Sequence, residues 1–125
     1  MKRLLLVSLL IASPAFAEAM LADDDGTVAV DCTKDKAVMV SGNHNTITIK
    51  GKCTSVMLSG NTNTVTGEST IGLEISGNEN TVNVGRIDSI RVSGDNNKVS
   101  WKKPATKPKT AVADTGDGNK LAKTK

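Results

Sequence analysis

Aromatic side chains are almost missing from this sequence, which contains one Trp, one Phe and no Tyr. Phe16 lies in the N-terminal segment, so Trp101 is the only aromatic residue after it. Conventional domains bury several aromatic rings because each ring removes a large apolar area from water. The sequence therefore favours a core of Val, Ile and Leu in thin layers, as stacked repeats permit.

Residues for catalysis or metal binding are also scarce. His44 is the only histidine, and the sequence has no C-x-x-C pair, nucleophile elbow or phosphate loop. Glycoside hydrolysis needs paired carboxylates. Here the candidate carboxylates are scattered along the chain, at Glu74, Glu79, Asp88 and Asp95. We therefore expect a protein that is not an enzyme and that holds no cofactor or metal.

The sequence has one extended hydrophobic run, near its N-terminus. Leu4 to Ala12 follows the basic pair Lys2-Arg3 and precedes Ala15-Phe16-Ala17, which is the pattern of a signal peptide cleaved after Ala17. The run is too short to span a bilayer. The pattern predicts a signal peptide over residues 1–17 and a secreted protein, periplasmic or extracellular, without a membrane span.

Cysteine is limited to Cys32 and Cys53. An exported chain with an even number of cysteines favours a disulfide. A metal site is less consistent with the sequence because one histidine cannot complete a zinc site. We therefore predict a bond between these two residues.

Charge is unevenly distributed along the chain. Residues 18–101 hold seven Lys or Arg against eleven Asp or Glu, whereas residues 102–125 hold seven lysines against Asp114 and Asp117. The sequence pI of about 9.0 therefore does not describe one basic surface. Because nucleic-acid binding requires a basic face with readout groups, we expect no nucleic-acid partner.

What the sequence does contain is a repeat. Ser-Gly-Asn or Ser-Gly-Asp begins at Ser41, Ser59, Ser76 and Ser93, at intervals of 18, 17 and 17 residues. A fixed period of this kind indicates a repeat architecture. A short segment of alternating apolar residues precedes each motif and another follows it, which predicts two strands per repeat. The third part varies, with one residue expected to face inward in each repeat: Cys32, Cys53, Ile71 and Ile87.

The motif itself is typical of a tight corner between the two strands. Glycine is free to adopt positive φ, and the following Asn or Asp bonds to nearby backbone. A second Asn recurs two places later, where amides of successive coils can form a hydrogen-bonded ladder. The predicted corner residues are Gly42, Asn43, Asn45, Gly60, Asn61, Asn63, Gly77, Asn78, Asn80, Gly94, Asp95 and Asn97.

These features predict an all-β fold, a short parallel β-solenoid of about four coils with 17–19 residues each. Residues 18–26 form a lead-in and N-terminal cap, residues 27–101 the solenoid, and residues 102–125 a disordered basic tail. Coils lie about 4.8 Å apart. A disulfide needs Cα atoms about 4.4–6.8 Å apart, so the two cysteines fit one column of adjacent coils. Trp101 is expected to cap the last layer.

The exported leader, the paired cysteines and the S-G-[ND]-x-N-x-[VI] repeat resemble a group of small secreted bacterial proteins known as a domain of unknown function. The resemblance covers Thr27 to Trp101. It implies a bacterial source and a repeat-built β domain, and it implies no activity. Lys98 departs from the Thr of the other repeats, as terminal repeats often do.

The sequence favours a rigid scaffold that presents small polar faces to a partner, either an unidentified protein or an envelope polymer. An alternative is self-association through the solenoid ends or faces, giving a homo-oligomeric surface protein. A minor alternative is ice binding by two T-x-T pairs, although Ala29, Asn83 and Lys98 interrupt the array. The candidate binding face comprises Thr46, Thr48, Thr64, Thr66, Met39 and Met57.

Overall fold

The computed structural model describes residues 18–34 and 37–124, and the predicted signal peptide, residues 1–17, lies outside them. The described residues form nine β-strands. They are β1 (Glu18–Leu21), β2 (Thr27–Asp31), β3 (Ala37–Val40), β4 (Thr46–Leu58), β5 (Thr64–Ile75), β6 (Thr81–Val92), β7 (Lys98–Trp101), β8 (Ala111–Asp114) and β9 (Lys120–Lys123).

The strands wind into a parallel β-solenoid of about six turns, which confirms the predicted fold class. Each complete coil has three sides. The pre-corner side consists of β1, β3, the ends of β4, β5 and β6, and β8. The post-corner side consists of β2, the beginnings of β4, β5 and β6, then β7 and β9. The third side consists of the middle parts of β4, β5 and β6, and of Lys103, which bridges to Arg86.

The solenoid has more coils than the four that the sequence predicts, because a divergent coil is added at each end. At the first corner, Asp23 and Gly26 occupy the positions that Gly42 and Asn45 hold in the next coil. At the last corner, Thr115-Gly116-Asp117-Gly118-Asn119 repeats the motif after a longer interval: Asn119 follows Asn97 by 22 residues instead of 17.

The core consists of aliphatic side chains stacked in columns from coil to coil. Alternating burial along each strand explains this arrangement, because successive side chains point to opposite faces. One column, for example, contains Val40, Leu58, Ile75 and Val92, which are in register and fully buried. Trp101 is 7% exposed and pairs with Lys123 of β9, so it lies beneath a further coil and does not cap the end as predicted.

The corner glycines are required because successive coils approach very closely. A Cβ at Gly60 would lie 1.7 Å from the carbonyl oxygen of Gly42, and the same distance recurs at Gly77 and Gly94. The left-handed residue of each corner is instead the one after Asn or Asp, with φ of 57–58° at Asp25, His44, Thr62, Glu79 and Asn96. The prediction that glycine supplies the positive φ is therefore wrong for these coils.

Two ladders of side-chain hydrogen bonds hold the corners together. In the inner ladder, the Oδ1 of each buried Asn accepts from the backbone N–H of the equivalent residue in the preceding coil, as Asn63 does from Asn45 at 2.9 Å. Its Nδ2 donates to a glycine carbonyl of that coil, from Asn63 to Gly42 at 2.9 Å. Asn80, Asn97 and Asn119 repeat the pattern, and Asn45 does so with the carbonyl of Asp23 in place of glycine. A ladder forms at the predicted asparagines, but its bonds join each side chain to backbone, whereas the sequence predicted bonds from one side-chain amide to the next. These bonds satisfy groups that would be costly to bury unpaired.

The outer ladder runs in the opposite direction. Here the side chain of one coil accepts from the backbone N–H of the following coil, as Asn43 Oδ1 does from Asn61 at 2.9 Å. Asp95 accepts from Asp117 in the same way, at 2.8 Å. Because an acceptor is all that this position needs, Asn and Asp are interchangeable there.

Part of the predicted disordered tail is folded. Residues 111–114 form β8 on β6, and residues 120–123 form β9 on β7. Their side chains are largely exposed, as the low apolar content predicts, with Val112 46% exposed. The backbone ladder and the last corner, through Asn119 and Gly116, supply the contacts that the side chains lack. Apolar content alone therefore underestimated the order of this segment.

The close approach at the corner predicts a sharp difference between two glycines. We expect Gly60→Ala to lower the free energy of unfolding by at least about 3 kcal/mol, because backbone on both sides must move. Gly72→Ala is the matched control: its Cβ would meet Ser89 Oγ and the Thr54 carbonyl at 3.7 Å, an ordinary contact. Urea unfolding measures both, and equal stabilities of the two variants would contradict the packing argument.

Candidate functional site

The disulfide fixes the first two described coils on the third side. Cys32 and Cys53 are bonded, with their Cα atoms 5.1 Å apart, which confirms the predicted pair. Cross-links of this kind commonly stabilise a small domain by about 2–4 kcal/mol. Cys53 is in register with Thr70 and Ile87, so Thr70, which is 1% exposed, takes the inward position predicted for Ile71. The Thr70 hydroxyl donates to the carbonyl of Gly72 at 2.9 Å.

The threonines of the candidate face are exposed on the post-corner side. Thr46 is in register with Thr64, and Thr48 with Thr66, so the four hydroxyls form a small regular array. The first column continues through Thr27 and Thr81 and then changes to Lys98. The array therefore has complete T-x-T pairs on two adjacent coils.

The methionines of the candidate face lie on a different side. Met39 and Met57 are in register on the pre-corner side, in line with Met20, which is 70% exposed. The same column continues as Glu74 and Arg91, whose side chains pair at 3.7 Å. A groove of about 350 Å³ runs beside the column, over the small residues Ser55, Gly72, Ser89 and Ala111. The structure thus separates the predicted binding residues into two surfaces.

The third side carries a row of outward cationic residues that sequence reasoning missed. Lys52, Ser69 and Arg86 are in register, and the backbone of Arg86 forms a parallel β-bridge with that of Lys103. A cavity of about 400 Å³ lies between them, lined by Gly51, Lys52, Glu68, Ser69, Arg86 and Ala105. The signal in the sequence was weak, because the register across the variable side depends on the bulge between Ile49 and Lys52.

Asp88 fastens the C-terminal segment over the third side. Its carboxylate is 1% exposed and accepts from the backbone N–H groups of Ala105, Thr106 and Lys107 at 2.7, 2.7 and 3.1 Å, and from the Thr106 hydroxyl. Burial by itself raises the pKa of Asp88. The hydrogen bonds from Thr106, Lys107 and Ala105 outweigh burial and hold the pKa well below its usual range.

The remaining acidic and histidine side chains form no convergent site. His44 Nδ1 lies 3.9 Å from Asp25 Oδ1, and both side chains are exposed at the corner. Asp31 accepts from the Thr33 hydroxyl and from the Thr33 N–H, and these two bonds lower its pKa. Within residues 18–34 and 37–124, no three His, Cys, Asp or Glu side chains are placed to share a metal ion. The same part of the chain contains no helix long and apolar enough to cross a membrane.

Comparison with known proteins gives one family. The family model described as "Protein of unknown function (DUF3060)" matches residues 40–83 and residues 71–118. The two matches overlap, as expected when one repeated pattern fits the chain in more than one register. No curated protein and no solved structure matches significantly.

The geometry around Asp88 predicts that one carboxylate controls docking of residues 105–110. We expect Asp88→Ala to raise the rate of tryptic cleavage after Lys109 about tenfold or more, because three backbone N–H groups lose their acceptor. Asp117→Ala is the control, since it removes an exposed carboxylate from the last corner and leaves the Asp88 contacts intact. Equal cleavage rates for the two variants would contradict this assignment.

The same contact makes docking of the segment sensitive to acid. The folded-state pKa of Asp88 is lowered, so its stabilisation is complete above the unfolded value of about 4 and is lost as the pH falls through the folded value. Amide exchange at Ala105 to Lys107, corrected for the intrinsic rate, should accelerate in strong acid in the natural chain. In Asp88→Ala it should be fast at every pH.

Proposed function

The chain belongs to the family of proteins of unknown function whose model spans residues 40–118, and we propose that it is a non-enzymatic, exported binding protein. In this proposal it acts as a rigid scaffold in the bacterial cell envelope or medium. Its partner is a protein or an envelope polymer that contacts one of the three flat sides.

The observation that carries the proposal is that hydrogen bonds at the corners hold neighbouring coils rigidly together. Each inner Asn uses both polar atoms of its side chain in hydrogen bonds to a neighbouring coil, as Asn80 does with Asn63 and Gly60, while its backbone N–H donates to Asn97 of the next coil. A disulfide adds to this stiffness at the N-terminal end. The stabilising contacts lie inside the coils and at the corners, which leaves the flat sides free for a partner. Preformed surfaces of this kind suit binding, since little conformational entropy is lost on association.

The carboxylates support a binding role over a hydrolytic one. Asp88 is buried and saturated with hydrogen bonds, and Glu74 pairs with Arg91 on the pre-corner side. Glu68 accepts from the Gly51 N–H at 2.9 Å on the third side. General acid–base catalysis needs two groups that converge on one substrate. Glu74 lies on a different side from Asp88 and Glu68, and each of the three carboxylates is already engaged in a contact of its own.

The ends of the solenoid argue against head-to-tail stacking of identical chains. Each corner glycine packs against the carbonyl of the preceding coil, but the first corner has Asp23 at that position, whose Cβ would clash with a coil placed before it. At the other end, Asp114 and Lys123 occupy register positions that hold Val92 and Trp101 one coil earlier. Inward charges of this kind are a common protection of sheet edges.

We therefore expect the mature chain, residues 18–125, to remain monomeric. Light scattering after size-exclusion chromatography should give one mass over a hundredfold range of protein concentration. A mass that rises with concentration would instead favour self-association through the flat sides, and the variants Met57→Ser and Thr64→Ser would then locate the contact.

The proposed function is tested by affinity capture with two baits, residues 18–125 and residues 18–101. A specific partner should be retained from the envelope or medium of the producing bacterium. Excess free protein in solution should prevent its retention on the immobilised bait. The shorter bait lacks β8 and β9, so circular dichroism must first show that it keeps its β-structure. Loss of the partner with this folded bait would place the contact on the C-terminal coil or the third side. A hydrolase activity that disappears when one acidic residue is replaced would overturn the proposal.

A further inference from the structure

The third side combines cations that are distant in the sequence into one row. Lys52, Arg86 and Lys103 are outward and exposed, with Ser69 between the first two. Coils are about 4.8 Å apart, so the row of four positions extends roughly 14 Å along the solenoid axis. Its direction is perpendicular to the strands, and it crosses four coils.

Neighbouring charges strengthen the positive potential of this row. Four further lysines are exposed and lie within a few residues of the row in sequence, namely Lys50, Lys102, Lys107 and Lys109. The described carboxylates of this side accept hydrogen bonds and keep their negative charge: Asp31 accepts from Thr33, Glu68, which also lines the cavity, from Gly51, and Asp88 from residues 105–107. They are fewer than the lysine and arginine side chains of the same region. The corner opposite is acidic instead, with Asp23, Asp24, Asp25, Glu79, Asp95 and Asp117. Residues 18–101 are acidic overall, so their composition does not indicate a basic face. The lysines of the C-terminal segment add positive charge to this side.

A hydroxyl group lies at the centre of the row. Ser69 Oγ is buried and has no hydrogen-bond partner among the described residues, although buried hydroxyls are normally paired. Ser69 lines the cavity of about 400 Å³ together with Lys52 and Arg86. Two cations and a free hydroxyl donor suit an oxyanion, because charge-assisted hydrogen bonds are about twice as strong as neutral ones.

We propose that the third side binds a linear acidic polysaccharide. One carboxylate, sulfate or phosphate group of the polymer is bound between Lys52 and Arg86 with Ser69 as a donor, and the next anionic group contacts Lys103. This inference rests on the proposed binding function and names its ligand class.

Two other polyanions fit the surface less well. Single-stranded nucleic acid is usually held by base stacking on exposed aromatic rings, and Trp101, the only aromatic among the described residues, is 7% exposed. Peripheral membrane binding usually adds apolar side chains that enter the lipid. The outward column here holds Lys52, Ser69, Arg86 and Lys103, and a single row of charges matches a linear polymer better than a plane of headgroups.

The test is direct binding of residues 18–125 to polygalacturonate, dextran sulfate and phosphorylated dextran at several salt concentrations. Single-stranded DNA and anionic phospholipid vesicles serve as comparison probes. At least one polysaccharide should bind more tightly than either comparison probe, and the three polysaccharides distinguish carboxylate, sulfate and phosphate recognition. Tighter binding to the DNA or the vesicles would overturn the proposal.

Two matched double variants distinguish binding at a specific site from attraction by the net charge of the protein. We expect Lys52→Gln with Arg86→Gln to weaken polysaccharide binding about tenfold or more and to reduce its salt dependence. Lys98→Gln with Lys120→Gln removes the same charge from the post-corner side and should weaken binding at most about threefold. Ser69→Ala should have an intermediate effect. An equal loss of affinity in the two double variants would show that net charge explains the binding, and would contradict the proposed site.

This experiment also distinguishes the inference from the function on which it rests. If no acidic polysaccharide binds but affinity capture still retains a partner, the ligand class is wrong and the binding function stands. If neither experiment finds a partner, both are wrong.

Discussion

The contact on which the structure depends is the approach of backbone to backbone at the corner. A strand spacing of about 4.8 Å leaves no space for a side chain where Gly60 meets the Gly42 carbonyl. The neighbouring residues follow from this contact. The inner Asn bonds to the glycine carbonyl, and the residue between the two asparagines turns left-handed to bring the chain into the next strand. The positions of the Ser-Gly-Asn-x-Asn motif are therefore explained by the way in which successive corners stack.

Much of this geometry could be predicted from the sequence, because it is local and repeated. The alternation of apolar and polar residues predicted the strands, and the 17–18-residue repeat predicted that the coils stack. The pairing of Cys32 with Cys53 in one column followed from the spacing between coils. The role of glycine was harder to predict, since positive φ and close approach favour the same residue. Thr62 and Glu79 distinguish the two explanations, because they have positive φ without being glycine.

The terminal coils and the third side could not be predicted in the same way. The interval before Asn119 is longer, and the order of the last coil comes from backbone bonds and from Asp88, which a count of apolar residues does not detect. The row of Lys52, Arg86 and Lys103 exists because an extra residue at Gly51, with φ of 85°, shifts the register of β4. A single irregular residue therefore decides which side chains are neighbours on this surface.

The distribution of charge follows from the same division between regular and variable parts. The outer ladder needs an acceptor at each corner, and Asp serves as well as Asn, so carboxylates such as Asp24 and Asp95 can accumulate there without loss of stability. The third side has no such requirement at its outward positions, since the disulfide and Asp88 stabilise it from within. Its surface residues are then free to be selected for a ligand. The corners thus supply stability, and the variable side can carry an exposed row of cations without weakening the core.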